Sequence, residues 1–94
     1  MSDYSKFIWY NSNIIPWEQA NIHVMSHVIH YGSGVFEGIK CYDTDLGPSI
    51  FRLEEHIDRL YDSASSYNMK VDLPKEDIVQ GCKDIVLRNN LKLN

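Results

Sequence analysis

Cysteine is scarce in this sequence, with only Cys41 and Cys82 among 94 residues. Their spacing fits neither a metal-binding motif nor a CxxC redox pair, and two cysteines are too few for the disulfide framework of a small secreted protein. We therefore expect the protein to work in the reducing cytoplasm.

Long apolar runs and excess positive charge are also absent. No segment approaches the roughly 18 apolar residues of a membrane span, and the N-terminal sequence MSDYSKFIWY lacks the apolar core of a signal peptide. The chain carries 9 Lys and Arg against 13 Asp and Glu, a net charge of −4. Binding to a phosphate backbone needs a basic stripe, so we expect neither a membrane nor a nucleic-acid partner.

The four histidines do not predict a metal site. His27 and His30 form an HxxH pair on a single turn, but no carboxylate or cysteine ligand set lies near them in the sequence. We expect hydrogen-bonded or surface histidines and no bound metal.

What the sequence does contain is a glycine-rich apolar segment, HVIHYGSGVFEGIK, over residues 27–40. Gly32, Gly34 and Gly38 each cost about 0.5–1 kcal/mol relative to Ala in a regular element. Backbone geometry or the close approach of a ligand is the expected reason for them. The dinucleotide-binding pattern GxGxxG fails, because Glu37 occupies the place of its third glycine and the segment precedes a strand.

Apolar spacing predicts short strands followed by helices. Phe7 to Tyr10 and Ile14 to Trp17 flank a turn and indicate a hairpin. Ser26 is placed to offer an N-cap oxygen to a helical turn that ends near His30. A strand from Val35 to Tyr42, with Phe36 and Gly38 on one face and Glu37 on the other, is expected to pair through a turn with a strand over Ser49 to Arg52.

Two longer helices complete the predicted order. One begins at Leu53 and the other near Pro74, and each has an apolar stripe at helical spacing. Leu91 to Leu93 resembles the start of a further strand. We predict an α/β fold for residues 1–94: a single, truncated domain, with a small mixed or antiparallel sheet, two helices packed on one face, and an incomplete C-terminus.

Spacing alone assigns ordinary roles to the polar and aromatic candidates. Arg59 lies off the apolar stripe, one turn from Glu55 and three residues before Asp62, as in a solvated ion pair. By the same reasoning Tyr31 and Phe36 are core aromatics and Glu37 is an exposed strand residue.

Three segments nevertheless carry a specific resemblance. IWYN from Ile8, VMSHVIHYGSGVFEGIKCY from Val24 and FRLEEHIDRLYDSA from Phe51 resemble the N-terminal domain of branched-chain amino acid aminotransferases, pyridoxal-phosphate enzymes of fold type IV. The resemblance extends over almost the whole chain. D-amino-acid aminotransferases and aminodeoxychorismate lyases share a YGxGVFE-like segment, but His30 and the Gly-Ile pair after Glu37 are more similar to the branched-chain subgroup.

The resemblance implies roles that differ from those suggested by spacing. It implies that Arg59 binds the phosphate of pyridoxal 5′-phosphate, that Phe36 forms a wall of the substrate pocket, and that the substrate approaches the backbone at Gly38. Tyr31 matches an aromatic that reaches a pocket in similar dimeric enzymes. The implied partners are branched-chain amino acids, 2-oxo acids, a missing C-terminal domain and further copies in a homo-oligomer.

The catalytic residue itself is not expected in this chain. In the family a lysine forms a Schiff base with the cofactor, and none of the six lysines here matches it, so we expect the 94-residue chain to be inactive. The complete enzyme would transfer the amino group of Leu, Ile or Val to 2-oxoglutarate. The alternatives are a free-standing binding or oligomerisation module without catalysis, and another type IV activity, either D-amino-acid transamination or the lyase reaction.

Overall fold

The computed structural model describes residues 6–89. The first element of the fold is an antiparallel hairpin. β1 (Phe7–Tyr10) pairs with β2 (Asn13–Pro16), with Phe7 opposite Pro16. The turn residues Asn11 and Ser12 have φ values of 49° and 70°, and positive φ at both central positions matches the twist of the strands. The predicted hairpin is confirmed, with its second strand starting and ending one residue earlier than expected.

A 3₁₀ turn (Trp17–Gln19) and a loop lead to the short helix α1 (His27–Tyr31). Ser26 occupies the N-cap position as predicted, but its side chain makes no capping hydrogen bond. Its backbone carbonyl instead accepts a bond from the Ile29 N–H at 3.0 Å. The helix ends at Gly32, whose φ of 66° is left-handed, so backbone geometry accounts for this glycine.

The predicted strand from Val35 to Tyr42 is wrong in its first part. Within the described chain, residues 32–40 pair with no strand, and β3 (Cys41–Thr44) starts only where β4 (Gly47–Ile50) lies opposite. A strand needs a partner for its backbone donors and acceptors, and hydrophobic alternation does not reveal whether one exists. The alternation itself is present, because odd-numbered residues from Val35 to Ile39 are less exposed than Phe36, Gly38 and Lys40.

The second strand of this hairpin is also shifted from its expected position over Ser49 to Arg52. Arg52 adopts a left-handed conformation with φ of 51° directly before α2 (Leu53–Ser66), which takes it out of the ladder. α3 (Lys75–Asn89) follows Pro74 and has Glu76 and Asp77 in its first turn, as predicted. The strand expected at Leu91 to Leu93 lies outside the described residues.

The core is small and centres on the two long helices. Leu53, Ile57 and Ala64 on α2 are its buried apolar side chains in the described part. α3 packs against α2, and it also contacts both β1 and β4. Gly81 allows α3 to approach β1 closely, because a Cβ there would lie 2.5 Å from Cε2 of Trp9.

The α/β class and the antiparallel pairing are therefore confirmed. Within residues 6–89 the strands form two separate two-stranded sheets instead of one continuous sheet. Both hairpins contact α3, so this helix joins them.

Candidate functional site

Arg59 on α2 reaches back to Glu37 in the glycine-rich segment. Its Nε donates to the two carboxylate oxygens at 2.9 and 3.1 Å, and its Nη2 donates to Oε1 at 2.8 Å. The guanidinium therefore binds the carboxylate through two nitrogens on one edge, the strong geometry for this pair of groups. The interpretation from helical spacing, with Glu55 or Asp62 as the partner, is wrong, and Glu55 pairs with Arg52 instead.

Glu37 is not the exposed strand residue that its position suggested. Its side chain is only 9% exposed and also meets Nδ1 of His56, 2.8 Å from Oε1. An ionised carboxylate can only accept hydrogen bonds, so Nδ1 of His56 carries the proton in this contact. Glu37 faces inward because the alternation of the segment places Val35, Glu37 and Ile39 on the less exposed side.

These contacts change the pKa of both members of the ion pair. Hydrogen bonds from Arg59, and then from His56, lower the pKa of Glu37 from 4.5 to about 2, although partial burial opposes the shift. The bond to Glu37 also raises the pKa of Arg59. Both groups are therefore charged at neutral pH, so the contact is an ion pair under those conditions.

Within residues 6–89, the opposite edge of the Arg59 guanidinium has no hydrogen-bond partner. The Arg59 side chain is 65% exposed, and among the residues that the structure describes none bonds to its Nη1. Beside it is a cleft of about 260 Å³ that is lined by Phe51, Arg52, Glu55, His56 and Arg59. A guanidinium that is held on one edge and open on the other can bind an oxyanion such as a phosphate ester.

The residues next to Glu37 in the chain face outward. Phe36 is 88% exposed, and a Cβ added at Gly38 would meet no atom within 4 Å. Phe36 is thus not a core aromatic, which corrects the interpretation from spacing. Packing among the described residues therefore does not explain the glycine at position 38. The space that a Gly38 side chain would occupy is open to a ligand.

Tyr31 is likewise exposed and not a core residue. It is 74% exposed, and its ring lies 4.6 Å from the His27 ring and 6.4 Å from the His30 ring, between centroids. Between residues 6 and 89 the structure shows no hydrogen bond, ion pair or ring contact that joins Tyr31 to Phe36 or Arg59. The fold thus brings Arg59 to the Phe36–Gly38 segment but leaves Tyr31 outside this set of contacts.

Spacing missed Glu37 and His56 as members of the site. A usable signal was present, because His56 and Arg59 are three residues apart and share one face of α2. That face carries two side chains able to donate to a carboxylate. Which carboxylate they meet depends on how the segment before β3 crosses α2.

Three further observations hold for the described residues. No cluster of three His, Cys, Asp or Glu side chains suited to a metal occurs over residues 6–89. Cys41 and Cys82 are free thiols, and no helix in this range has the length and apolar character to span a membrane.

Comparison with known proteins identifies the family. The amino-transferase class IV family matches residues 34–93. The branched-chain-amino-acid aminotransferase of Escherichia coli strain K12 is 47% identical over 85 residues, which are 90% of this chain and 28% of that protein. The chain thus spans less than a third of the length of this curated relative.

Two crystal structures show the same fold over nearly the whole chain. The Escherichia coli branched-chain amino acid aminotransferase has a TM-score of 0.90 at 45% identity, over 95% of this chain and 29% of that one. The branched-chain amino acid aminotransferase of Thermobaculum terrenum, in its PLP-containing holo form, has a TM-score of 0.78 at 34% identity, over 94% of this chain and 29% of that one. Since the family match also includes more than half of the sequence, this chain belongs to the class IV aminotransferases.

Proposed function

We propose that this chain is the N-terminal part of a pyridoxal-phosphate-dependent branched-chain amino acid aminotransferase. The complete protein would transfer the amino group of Leu, Ile or Val to 2-oxoglutarate. The names of the similar proteins support this activity. In the structure, the observation that carries it is Arg59, which Glu37 holds on one edge and which is open on the other.

Arg59 is the proposed ligand of the cofactor phosphate. Its donors fit this group, because the two N–H bonds of Nη1 lie away from the edge that Glu37 occupies. The similar Thermobaculum terrenum enzyme is in its PLP form. When bound, pyridoxal phosphate supplies the electron withdrawal that makes the α-proton of an amino acid removable.

Phe36, Gly38 and Tyr31 are the proposed substrate-binding residues. An exposed aromatic ring beside an open glycine can bury the branched side chain of Leu, Ile or Val, and apolar burial is worth about 25 cal/mol per Å². Phe36 and Gly38 lie on either side of Glu37 and so are close to Arg59. Tyr31 is separate from them, and we propose that it acts in a homo-oligomer, where it can serve another copy.

The residues of this chain bind and orient; they do not carry out the proton transfer. We propose that the lysine that forms the Schiff base, and a C-terminal domain, come from protein outside these 94 residues. The 94-residue chain alone would then have no transaminase activity. We also propose a cytoplasmic location, in keeping with the two free thiols.

The test is an activity profile of the complete protein encoded by the reading frame that contains this chain. We expect pyridoxal-phosphate-dependent formation of glutamate from 2-oxoglutarate with Leu, Ile and Val, and none with D-alanine. A preference for D-amino acids, or pyruvate release from aminodeoxychorismate, would overturn the substrate assignment. A frame that ends at Asn94 with no transaminase activity would instead support a non-catalytic module.

A further inference from the structure

Glu37 is far less exposed than the other acidic residues that form ion pairs in the described chain. Its side chain is 9% exposed, whereas the acidic partners of the other described ion pairs, Glu55 and Asp58, are more than half exposed. Taking a carboxylate out of water is unfavourable unless strong hydrogen bonds compensate. The bonds from Arg59 and His56 supply that compensation, so the arrangement is specific and not an incidental surface contact.

Hydrogen bonds join His56 to Glu37, and Glu37 to Arg59. His56 and Arg59 both extend from α2, a 14-residue helix. Nδ1 of His56 holds Oε1 of Glu37 at 2.8 Å, and the carboxylate in turn holds Nε and Nη2 of Arg59. Arg59 is long and mostly exposed, and without these bonds its guanidinium would sample many rotamers.

The carboxylate uses one edge of the guanidinium and leaves the other for a ligand. We propose that Glu37 is a positioning residue, held by His56, that orients Arg59 so that its Nη1 edge binds the phosphate of the cofactor. This inference rests on the proposed function, because it takes Arg59 as the phosphate ligand. It assigns Glu37 a role in affinity for phosphate, although the carboxylate has the same sign of charge as the ligand.

The sign of the charge makes the proposal falsifiable. If Glu37 only neutralised Arg59, its removal would free the guanidinium and strengthen phosphate binding. If Glu37 orients Arg59, its removal weakens phosphate binding, because the rotamer freedom of Arg59 must be lost when the ligand binds. The two outcomes have opposite directions.

The experiment compares two probes, pyridoxal 5′-phosphate and pyridoxal, each titrated into the complete protein from which cofactor has been removed. The ratio of their dissociation constants isolates the phosphate contribution. We expect Glu37→Gln to reduce the preference for pyridoxal 5′-phosphate about tenfold, the usual size for one charge-assisted bond, and to leave pyridoxal affinity unchanged. The matched control is Glu54→Gln, which removes an exposed carboxylate from the first turn of α2, the helix that carries Arg59. We expect this variant to leave the ratio of the two dissociation constants unchanged.

Three further variants, Arg59→Ala, the double variant and Glu37→Asp, separate this inference from the proposed function. Arg59→Ala should reduce the preference more than Glu37→Gln does, and the double variant should fall no further than Arg59→Ala alone. Glu37→Asp keeps the charge but shortens the side chain, and its preference should lie between those of the wild type and Glu37→Gln. An unchanged or increased preference in Glu37→Gln, with a loss in Arg59→Ala, would overturn the positioning role alone. An unchanged preference in Arg59→Ala would overturn the phosphate assignment itself.

Discussion

The side chain of Asn89, the last residue of α3, pairs with the backbone of Phe7 in β1. Its Oδ1 accepts the Phe7 N–H at 2.8 Å, and its Nδ2 donates to the Phe7 carbonyl at 2.9 Å. An asparagine thus completes the hydrogen bonding of a strand residue that is 82 positions away in the sequence. This pair ties the end of the second long helix to the start of the fold.

Asn89→Ala should destabilise the chain by about 1–3 kcal/mol, because it leaves the partly buried N–H and carbonyl of Phe7 without their partner. The free energy of unfolding can be measured by urea denaturation followed by tryptophan fluorescence. Gln80→Ala is the matched control on the same helix, since within residues 6–89 the Gln80 amide bonds only to the exposed Asp84. This substitution should change stability by less than about 0.5 kcal/mol. Equal effects of the two substitutions would contradict this account.

Gly81→Ala should also destabilise the chain, although alanine is the better helix former by about 1 kcal/mol. The added Cβ would lie 2.5 Å from Cε2 and 2.7 Å from Nε1 of the Trp9 indole. To relieve that overlap, either the Trp9 indole must shift in its packing or β1 and α3 must separate, and overpacking of this kind typically costs about 1–3 kcal/mol. The same urea titration measures it, and Gly38→Ala, where the new Cβ meets open space, is the control. A stabilised Gly81→Ala chain would show that the indole moves freely.

The ion pair of Glu37 should make stability depend on pH in the acid range. The folded state lowers the pKa of this carboxyl from 4.5 to about 2, so the unfolded state binds the proton more readily. The stabilisation is fully present above about pH 4.5 and is lost as the pH falls toward 2. The difference in stability between the wild type and Glu37→Gln should therefore shrink over this window.

The control for that measurement is the Arg59→Ala background, which lacks the largest cause of the shift. In this background, the change in stability caused by Glu37→Gln should depend less on pH over the same range. If the stability difference between the wild type and Glu37→Gln stays constant across the acid range, the Glu37–Arg59 ion pair does not stabilise the fold as we infer.

Phe36→Ala tests the proposed substrate wall separately from folding. Phe36 and Leu46, which lies at the tip of the second hairpin, are both largely exposed, so alanine at either position should change stability by less than about 0.5 kcal/mol. In the complete protein we expect Phe36→Ala to raise the KM for leucine about tenfold, because the aliphatic side chain loses an apolar wall. Leu46→Ala should leave the KM unchanged, and parallel effects of the two variants would remove Phe36 from the pocket.

Local patterns were sufficient for most of the secondary structure. Two apolar runs around Asn11 and Ser12 define the first hairpin, and the stripes after Leu53 and Pro74 define the two long helices. These signals are local because turn geometry and helical periodicity depend on residues a few positions apart. They failed at residues 35–40, where alternation was read as a strand but no partner strand lies beside the segment in the described chain.

The sequence by itself determined the family, the α/β class and the identity of Arg59 as a candidate, through motifs that lie continuously along the chain. Only the tertiary structure decided that Glu37 faces inward, that Arg59 and His56 share it, and that Phe36 faces outward. The reason is physical: Glu37 and Arg59 are 22 residues apart, and a contact over that separation depends on how two elements cross. Helical and strand periods fix which residues share a face, but packing alone fixes what that face meets.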